Sequence, residues 1–281
     1  MGNLKNTPRK RKDGNLTSQK ISMTPLIIAV IVFIVAVVGY KTLQSGNKEE
    51  VQEPSYTILF IGTSITEYNG GLYTHLEQLA GSADPPLIIK ADKIIQYSTP
   101  LEDQWENSNA RNTIKNGNYD AVVLQEALHW TFIETFHEYS RVFDTAIKEA
   151  GAETVLFMTY AIVDKQAQAQ ASMLGNCLGY ASMNVIEEAH REIAEELDCK
   201  VAPCGLAFQR VEQERPKLDL FDADGEHPSI YGTYLAVNMV YATVFDESPE
   251  GLPYSPRGLD EDDALYLQRI AWETVQEYRV Q

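Results

Sequence analysis

Cysteine is scarce in this sequence, with Cys177, Cys199 and Cys204 the three among 281 residues. An odd number leaves at least one thiol unpaired, which excludes complete pairing into disulfides. The segment "CKVAPC" holds Cys199 and Cys204 and is predicted to be a strand. Extended residues five apart lie too far from each other to be bridged. We therefore expect buried free thiols.

Positive charge is scarce beyond the first 24 residues. Those residues hold six basic groups and one acidic group, whereas the rest of the chain holds 17 basic and 39 acidic residues. The formal net charge of the whole chain is −17. Because an acidic surface repels phosphate backbones, nucleic-acid binding by the larger part of the chain is not expected.

The basic start of the chain leads into the apolar segment "MTPLIIAVIVFIVAVVGYK". Residues 23–43 reach the length of about 20 residues that a helix needs to cross a membrane, and Lys20 and Lys41 can extend to its two surfaces. A cleaved signal peptide and a buried core helix are the alternatives. However, "GYKTLQSG" contains no clear small-x-small cleavage site. We predict an uncleaved transmembrane signal anchor.

This anchor divides the chain into four predicted parts. Residues 1–22 form a basic cytoplasmic tail, residues 23–43 cross the cell membrane once, residues 44–55 form a polar linker, and residues 56–281 form one extracytoplasmic domain. The hydrophobic content of 44% is ordinary for a globular protein and is enough for a sizeable core. The sequence shows no internal repeat and leaves the oligomeric state open.

From Tyr56 onward, strand patterns alternate with helix patterns. Short apolar runs predict five strands, in "YTILFIG", "PLIIKADKIIQYS", "YDAVVLQE", "ETVLFMTYA" and "CKVAPCG". Helical spacing predicts helices in "LYTHLEQLAG", around residues 134–150, and in "SMNVIEEAHREIAEELD", "SIYGTYLAVNMVYATVF" and "DEDDALYLQRIAWETVQEY". This alternation predicts an α/β fold with a mostly parallel, doubly wound sheet. Residues 164–179 are predicted to form a loop or a loose helix over one end of the sheet.

A serine, a histidine and an aspartate occur where such a fold could bring them together. Active sites of these sheets lie at the carboxyl ends of the strands, and Ser64 directly follows the first predicted strand. Asp224 and His227 lie three residues apart in "DADGEHPSIYG", which places them on one side of a turn-like backbone. Asp224 could then orient His227 toward the Ser64 hydroxyl. The alternatives are a plain helix cap for Ser64 and a solvated surface histidine for His227.

Several motifs, in their order along the chain, resemble those of the SGNH (GDSL-type) hydrolases. They are "GTSIT", "VVLQE" and "DGEHPSIYGTYLA", and "VAPCGLAF" and "AW" fit the same branch of that family. The resemblance covers about Tyr56 to Tyr278. It implies a flavodoxin-like three-layer α/β/α fold and hydrolysis of esters without a metal or other cofactor. It also implies Ser64 as the nucleophile, His227 as the base, Asp224 as its partner and the Ser64 backbone N–H as an oxyanion donor.

Two positions depart from the family pattern in the expected oxyanion hole. Ser98, in "QYSTPLEDQW", stands where the family has a glycine, and its N–H could still donate. A position that needs a positive φ would, however, be strained with serine. Gln125 stands where the family has an asparagine, with the same amide chemistry on a longer side chain. The alternative for Gln125 is a hydrogen bond to a neighbouring loop.

Four further residues that follow predicted strands are candidates for substrate contacts: Glu126, His129, Trp130 and Tyr160. Glu126 is equally compatible with orienting a loop, and the other three with packing. Glu126 and His129 have a spacing that metal ligands can use, but no third ligand accompanies them, so no metal site is expected.

The sequence as a whole predicts a membrane-anchored serine esterase outside the cytoplasm. Its expected substrates are short-chain esters such as acetyl esters, including those of acylated carbohydrates at the cell surface. An acyltransferase with the same triad is the enzymatic alternative. A catalytically degenerate domain that binds cell-wall polymer is the alternative of another class, and the changed oxyanion residues motivate it.

Overall fold

The computed structural model describes residues 55–127, 131–161, 178 and 181–280. The predicted tail at 1–22, the anchor at 23–43 and nearly all of the linker at 44–55 lie outside the described residues. So do His129, Trp130, Cys177 and most of the segment 164–179. Within the described ranges, no helix has both the length and the apolar character needed to cross a membrane.

Five strands and a series of helices alternate along the described chain. The strands are β1 Tyr56–Gly62, β2 Ile89–Ile95, β3 Ala121–Gln125, β4 Glu153–Phe157 and β5 Lys200–Ala202. The helices are α1 Ser64–Glu67, α2 Leu72–Gly81, α3 Leu101–Asn107, α4 Ala110–Asn116, α5 Ile133–Glu149, α6 Met183–Leu197, α7 Cys204–Glu214, α8 Ile230–Phe245 and α9 Glu261–Arg279. A short 3₁₀ turn, Tyr68–Gly70, joins α1 to α2.

The five strands form one parallel sheet in the order β2-β1-β3-β4-β5. This is the flavodoxin-like order, so the prediction of a parallel, doubly wound sheet is confirmed. The chain leaves β1 toward β2 on one side and returns to β3 on the other side. The ends of β1 and β3 therefore flank the point at which the strand order reverses, where such sheets bind ligands.

The sheet is covered on both faces because its central strands alternate two sets of apolar side chains. Ile58 and Phe60 of β1 pack in one core with α2, α7, α8 and α9. Leu59 and Ile61 pack in the other core with α3, α4, α5 and α6. Successive side chains of a strand point to opposite faces, so one apolar run supplies both cores. The predicted three-layer α/β/α arrangement is confirmed.

The structure differs from the sequence-based expectation at β5 and in helices α1, α3, α4 and α7, which were not predicted. The predicted strand "CKVAPCG" ends at Ala202, and Cys204 already begins α7, because Pro203 has no N–H to continue the ladder. Helices α3 and α4 were not predicted, since their sequences are mostly polar and too short for a clear period. Their few buried apolar residues, such as Leu101 and Ile114, hold them against the sheet.

The two described cysteines are free thiols, as expected from their spacing. Cys204 is buried, and Cys199 is half-buried rather than fully buried. Burial raises the pKa of the Cys199 thiol to about 12, and it raises the pKa of Cys204 further above its ordinary value. Thiols with such pKa values remain protonated and are poor nucleophiles at neutral pH.

Helix α8 is buried along almost its whole length and is packed too closely for a side chain at Gly232. A Cβ atom on Gly232 would lie 2.2 Å from the carbonyl oxygen of Leu220 and 3.1 Å from Phe208. The Leu220 carbonyl also accepts a hydrogen bond from the N–H of Ser229, the N-cap of α8. Gly232 therefore fixes the approach of α8 to the loop that precedes it.

We expect Gly232→Ala to lower the free energy of unfolding by about 1–3 kcal/mol, because overpacking forces the backbone apart. The matched control is Gly81→Ala at the end of α2, where an added Cβ atom meets nothing within 4 Å. Urea denaturation of both variants measures the difference. Equal stabilities of the two variants would contradict the close packing at Gly232.

Candidate active site

The turn after β1 presents Ser64 at the start of α1. Thr63 is the N-cap of this helix, and its hydroxyl accepts from the N–H of Ile65 at 3.4 Å. Gly62 is required here because an added Cβ atom would lie 2.3 Å from the Thr66 hydroxyl oxygen and 3.1 Å from Gln125 Oε1. The chain can therefore turn from strand to helix within two residues, which leaves the Ser64 hydroxyl at the edge of the sheet.

Ser64, His227 and Asp224 form a continuous chain of hydrogen bonds. His227 Nε2 lies 2.9 Å from Ser64 Oγ, and His227 Nδ1 lies 2.6 Å from Asp224 Oδ2. Both distances are within hydrogen-bond range, and both ring nitrogens are in use. The structure thus brings together the three residues that the sequence nominated, in the geometry that activates a serine hydroxyl.

The backbone of the loop holds Asp224 in place and favours its charged form. Asp224 Oδ1 accepts hydrogen bonds from the N–H groups of Glu226 and His227, each at 2.9 Å. The Glu226 N–H and the hydrogen bonds from the ring and N–H of His227 lower the pKa of Asp224 to about 2. Asp224 is therefore a carboxylate throughout the neutral and mildly acidic range, as an orienting partner must be.

Tyr160 supports the histidine loop from below and does not line the cavity beside Ser64. Its hydroxyl donates to the carbonyl of Glu226 at 2.8 Å, and its buried ring stacks on Phe208 at 4.5 Å and meets Phe221 edge-on. The sequence predicted that Tyr160 contacts the substrate, whereas in the structure Tyr160 supports the loop that contains His227. The cause is the long return of the chain from α7 to α8, which places residues 221–228 over the end of β4.

Two residues that the sequence analysis did not nominate, Tyr68 and Asn69, contact the histidine loop directly. The Tyr68 ring stacks on the His227 ring at 4.5 Å, and its hydroxyl donates to Asp222 Oδ2 at 2.6 Å. Asn69 Nδ2 donates to the carbonyl of Pro228 at 2.8 Å. The segment "ITEYNGG" follows the nucleophile directly, and this position in the sequence was the available signal that Tyr68 and Asn69 do more than form a turn.

Ser98 adopts the strained conformation that the missing glycine implies. Its φ is +53°, in the left-handed region, where non-glycine residues are disfavoured by about 1–2 kcal/mol. Ser98 and Ser64 line the same cavity. No described residue accepts a hydrogen bond from the backbone N–H of either one.

Gln125 lies beneath the nucleophile turn, and this differs from the expected position of an oxyanion donor. Its side chain is only 1% exposed. Oε1 accepts from the N–H and hydroxyl of Thr63, both at 2.8 Å, and from the Thr66 hydroxyl at 3.2 Å, while Nε2 donates to the carbonyl of Glu126. Because the Thr63 N–H can only donate, this orientation of the amide is fixed. Gln125 therefore anchors the turn that carries Ser64.

Glu126 is also buried, at 2% exposure, and it holds backbone segments together instead of lining the cavity. Oε1 accepts from the N–H of Leu101 at 3.1 Å, the N–H of Ala127 at 2.7 Å and the Thr131 hydroxyl at 3.2 Å. Burial raises the pKa of this carboxyl to about 7, against the lowering effect of these hydrogen bonds. Of the two expected roles, the structure favours orientation of a loop, because Leu101 begins α3 three residues after Ser98.

A cavity of about 470 Å³ opens beside the nucleophile. Its lining combines the serine and the histidine with neighbouring polar and aromatic side chains: Ser64, Glu67, Tyr68, Asn69, Tyr97, Ser98 and His227. Asp224 lies behind His227 and does not line it. In the part of the chain that the structure describes, no three His, Cys, Asp or Glu side chains are arranged to hold a metal ion.

No protein-family model matches the chain, and no curated protein is similar enough to it to match. Several solved structures share its fold. A protein provisionally described as an SGNH hydrolase, from Slackia heliotrinireducens, is 24% identical with a TM-score of 0.56, over 67% of this chain and 98% of the other. A DUF4886 family protein from Bacteroides uniformis is 15% identical with a TM-score of 0.62, over 79% and 95% of the two chains.

A catalytic mutant of Axe2, an acetylxylan esterase from Geobacillus stearothermophilus, is 15% identical with a TM-score of 0.52, over 66% of this chain and 92% of the other. The structural neighbours are thus SGNH- and GDSL-like hydrolases and esterases. These likenesses show that the described domain has the SGNH hydrolase fold, and they confirm the fold that the sequence motifs implied.

The strain at Ser98 predicts how substitutions there affect stability. We expect Ser98→Gly to leave the free energy of unfolding unchanged or to raise it by up to about 1 kcal/mol, because glycine tolerates the left-handed region. Ser98→Val should lower it by more than about 1 kcal/mol, since a β-branched residue is poorly tolerated there. Thermal and urea unfolding measure both effects. A valine variant as stable as the glycine variant would contradict the observed φ.

The buried carboxyl of Glu126 predicts a dependence of stability on pH. Between its ordinary pKa of 4.5 and its folded pKa of about 7, the folded state binds more protons than the unfolded state. Stability therefore decreases through this range as pH rises, by at most about 1.4 kcal/mol per pH unit from this group.

Glu126→Gln keeps the acceptor oxygen but cannot titrate, so it should flatten this part of the profile. The control is Glu149→Gln, at an exposed position in α5, which should keep the wild-type slope. Urea denaturation at pH 4.5 to 8 provides the comparison. Parallel profiles for the wild type and Glu126→Gln would show that Glu126 is not protonated on folding.

Proposed function

We propose that this protein is a serine esterase that uses Ser64 as nucleophile, His227 as general base and Asp224 as the orienting carboxylate. The observation that carries the proposal is the unbroken hydrogen-bond chain from Asp224 through His227 to Ser64, beside a cavity large enough for a small ester. The SGNH hydrolase fold of the domain supports the same reaction class.

The reaction proceeds by acyl transfer to Ser64. His227 Nε2 takes the hydroxyl proton as Ser64 Oγ attacks the ester carbonyl, and Asp224 stabilises the resulting imidazolium without taking the proton. Collapse of the tetrahedral intermediate breaks the bond to the alcohol, which leaves with the proton from His227. Water then attacks the acyl-enzyme with His227 as base again, and this step releases the acid and restores Ser64.

Two backbone N–H groups, of Ser64 and Ser98, are proposed to stabilise the oxyanion. Both residues line the cavity, and neither N–H is used by a described residue. Preorganised donors of this kind are effective because they need no reorganisation when charge develops. Gln125 acts indirectly, by holding Thr63 and Thr66 and with them the N–H of Ser64. An absent third donor would cost about 3 kcal/mol of transition-state stabilisation, so we expect moderate turnover.

We further propose short acyl groups, such as acetyl, as the part of the substrate that Ser64 accepts. Two arguments support this proposal: none of the described residues that line the cavity has an aliphatic side chain to hold a long acyl chain, and one structural neighbour is an acetylxylan esterase. The location is also a proposal. Residues 23–43 are apolar and residues 1–22 basic, which favours a cytoplasmic start, a single membrane span and a domain outside the cytoplasm.

A fluorophosphonate probe tests the nucleophile. We expect the wild type to be labelled, and Ser64→Ala to lose both labelling and hydrolysis of 4-nitrophenyl acetate, by at least about 1,000-fold. The control is Ser182→Ala, an exposed helix cap whose side chain makes no capping hydrogen bond. A wild type that is not labelled at any pH would refute the proposal. Transfer of the acetyl group to an added sugar in preference to water would assign an acyltransferase.

The proposed role of His227 as general base predicts how activity depends on pH. Because an imidazolium cannot accept a proton, kcat/KM should fall as pH decreases through the range of about 8 to 5, in which imidazoles titrate. Asp224 cannot cause this fall, since its pKa is about 2. Steady-state kinetics on 4-nitrophenyl acetate give the profile. A flat profile, with acylation shown to limit the rate, would rule out His227 as base.

Protease access to intact cells tests the proposed location. We expect external protease to degrade residues 56–281 while a tag at residue 1 remains protected. Lysed cells are the positive control for cleavage. Protection of residues 56–281 in intact cells would contradict the proposed topology.

A further inference from the structure

We infer that Glu67, Lys93 and Tyr97 form a subsite for the alcohol part of the ester, and that this alcohol is a neutral sugar ring. The inference rests on the esterase function proposed above and adds a substrate class and three specificity-determining residues to it. Its basis is a second cavity that joins the one at Ser64.

The second cavity has a volume of about 330 Å³ and is lined by Glu67, Lys93, Ile95 and Tyr97. Glu67 and Tyr97 also line the cavity that contains Ser64 and His227. The two cavities therefore adjoin each other along Glu67 and Tyr97, and we call the two together the groove. A leaving alcohol bonded to an acyl group at Ser64 would lie next to the second cavity.

The local structure explains why these side chains share the groove. Ser64 and Glu67 are three residues apart in α1, which places them on one side of the helix. Lys93 and Ile95 alternate along β2, so they lie on one face of the strand, and Tyr97 follows shortly after its end. Strand β2 is the edge of the described sheet, which leaves this side of the groove open.

Tyr97 exposes a large aromatic ring beside the nucleophile. Its exposed fraction is 66%, and neither a ring contact nor a hydrogen bond of its hydroxyl occurs among the described residues. Aromatic faces carry partial negative charge and attract the polarised C–H bonds on the apolar face of a pyranose. Stacking of such a ring would bury the exposed face of Tyr97 while leaving the sugar hydroxyls at the edges of the ring.

The charges in the groove distinguish a neutral sugar from other alcohols. Lys93 Nζ lies 2.8 Å from both carboxylate oxygens of Glu67, and the Tyr73 hydroxyl donates to Glu67 at 2.9 Å. The pair is balanced, so it provides no net attraction for an anionic alcohol. The three N–H groups of Lys93 are taken by Glu67 and by the Tyr73 hydroxyl, whereas the Glu67 carboxylate is partly exposed and can accept further hydrogen bonds from sugar hydroxyls. Among the described residues that line the second cavity, Ile95 is the single aliphatic side chain, which disfavours a long-chain alcohol.

The test compares two acetyl esters that share the acyl group and differ in the alcohol. One is ethyl acetate, whose small aliphatic alcohol cannot stack on an aromatic ring, and the other is a methyl pyranoside that carries one acetyl ester. We expect Tyr97→Ala to lower kcat/KM for the acetylated pyranoside about tenfold more than for ethyl acetate, mainly through KM. Tyr97→Phe keeps the aromatic ring, so its kcat/KM for the acetylated pyranoside should remain close to that of the wild type. Leu265→Ala, at an exposed position in α9, is the control and should alter neither substrate.

The outcomes separate this inference from the esterase proposal. If the wild type is neither labelled by a fluorophosphonate nor active on either ester, the proposed function fails. If the wild type is active but Tyr97→Ala changes both substrates equally, the esterase proposal stands and the sugar subsite is overturned. Faster turnover of an acetylated uronic acid, or of an acetylated long-chain alcohol, than of the neutral pyranoside would likewise overturn the assigned class.

Discussion

The hydrogen bond between Ser64 and His227 joins two segments that lie 163 residues apart, and the rest of the site depends on it. A contact of 2.9 Å between such distant segments forms only if each one is fixed to the same scaffold. The turn of Ser64 is fixed at the carboxyl end of β1 by Gln125. The loop of His227 is fixed by Tyr160, Tyr68, Asn69 and the start of α8. The parallel sheet beneath sets the distance between them.

Buried polar side chains do much of this positioning. Gln125 and Glu126 each accept hydrogen bonds from a neighbouring segment. Gln125 binds the turn that carries Ser64, and Glu126 binds the loop that follows Ser98. A buried amide or carboxyl that left these backbone groups unpaired would be costly, which makes both networks specific about geometry. Gln125 thus holds the backbone turn that carries Ser64, and Ser98, with its positive φ, lines the same cavity as Ser64.

Much of the fold follows from local patterns. The apolar run of β1, the amphipathic spacing of α5 and α6, and the acidic first turn of α9 predict their elements directly, because each pattern reflects burial on a known face. Helices α3 and α4 could not be predicted in this way. They are short and polar, and they are held in place by contacts of Leu101, Ala110 and Ile114 with the sheet, which no local pattern contains.

The sequence by itself nominated Ser64, His227 and Asp224, since the turn after β1 and the spacing of Asp224 and His227 are local features with a direct chemical meaning. Only the tertiary structure decided the roles of Gln125, Glu126 and Tyr160, which follow strands as active-site residues do but point beneath the loops they support. It also brought four residues to the cavity beside Ser64, namely Glu67, Tyr68, Asn69 and Tyr97. The reason is physical: position after a strand brings a residue to the edge of the sheet, but the direction of its side chain depends on the hydrogen-bond partners that other segments bring there.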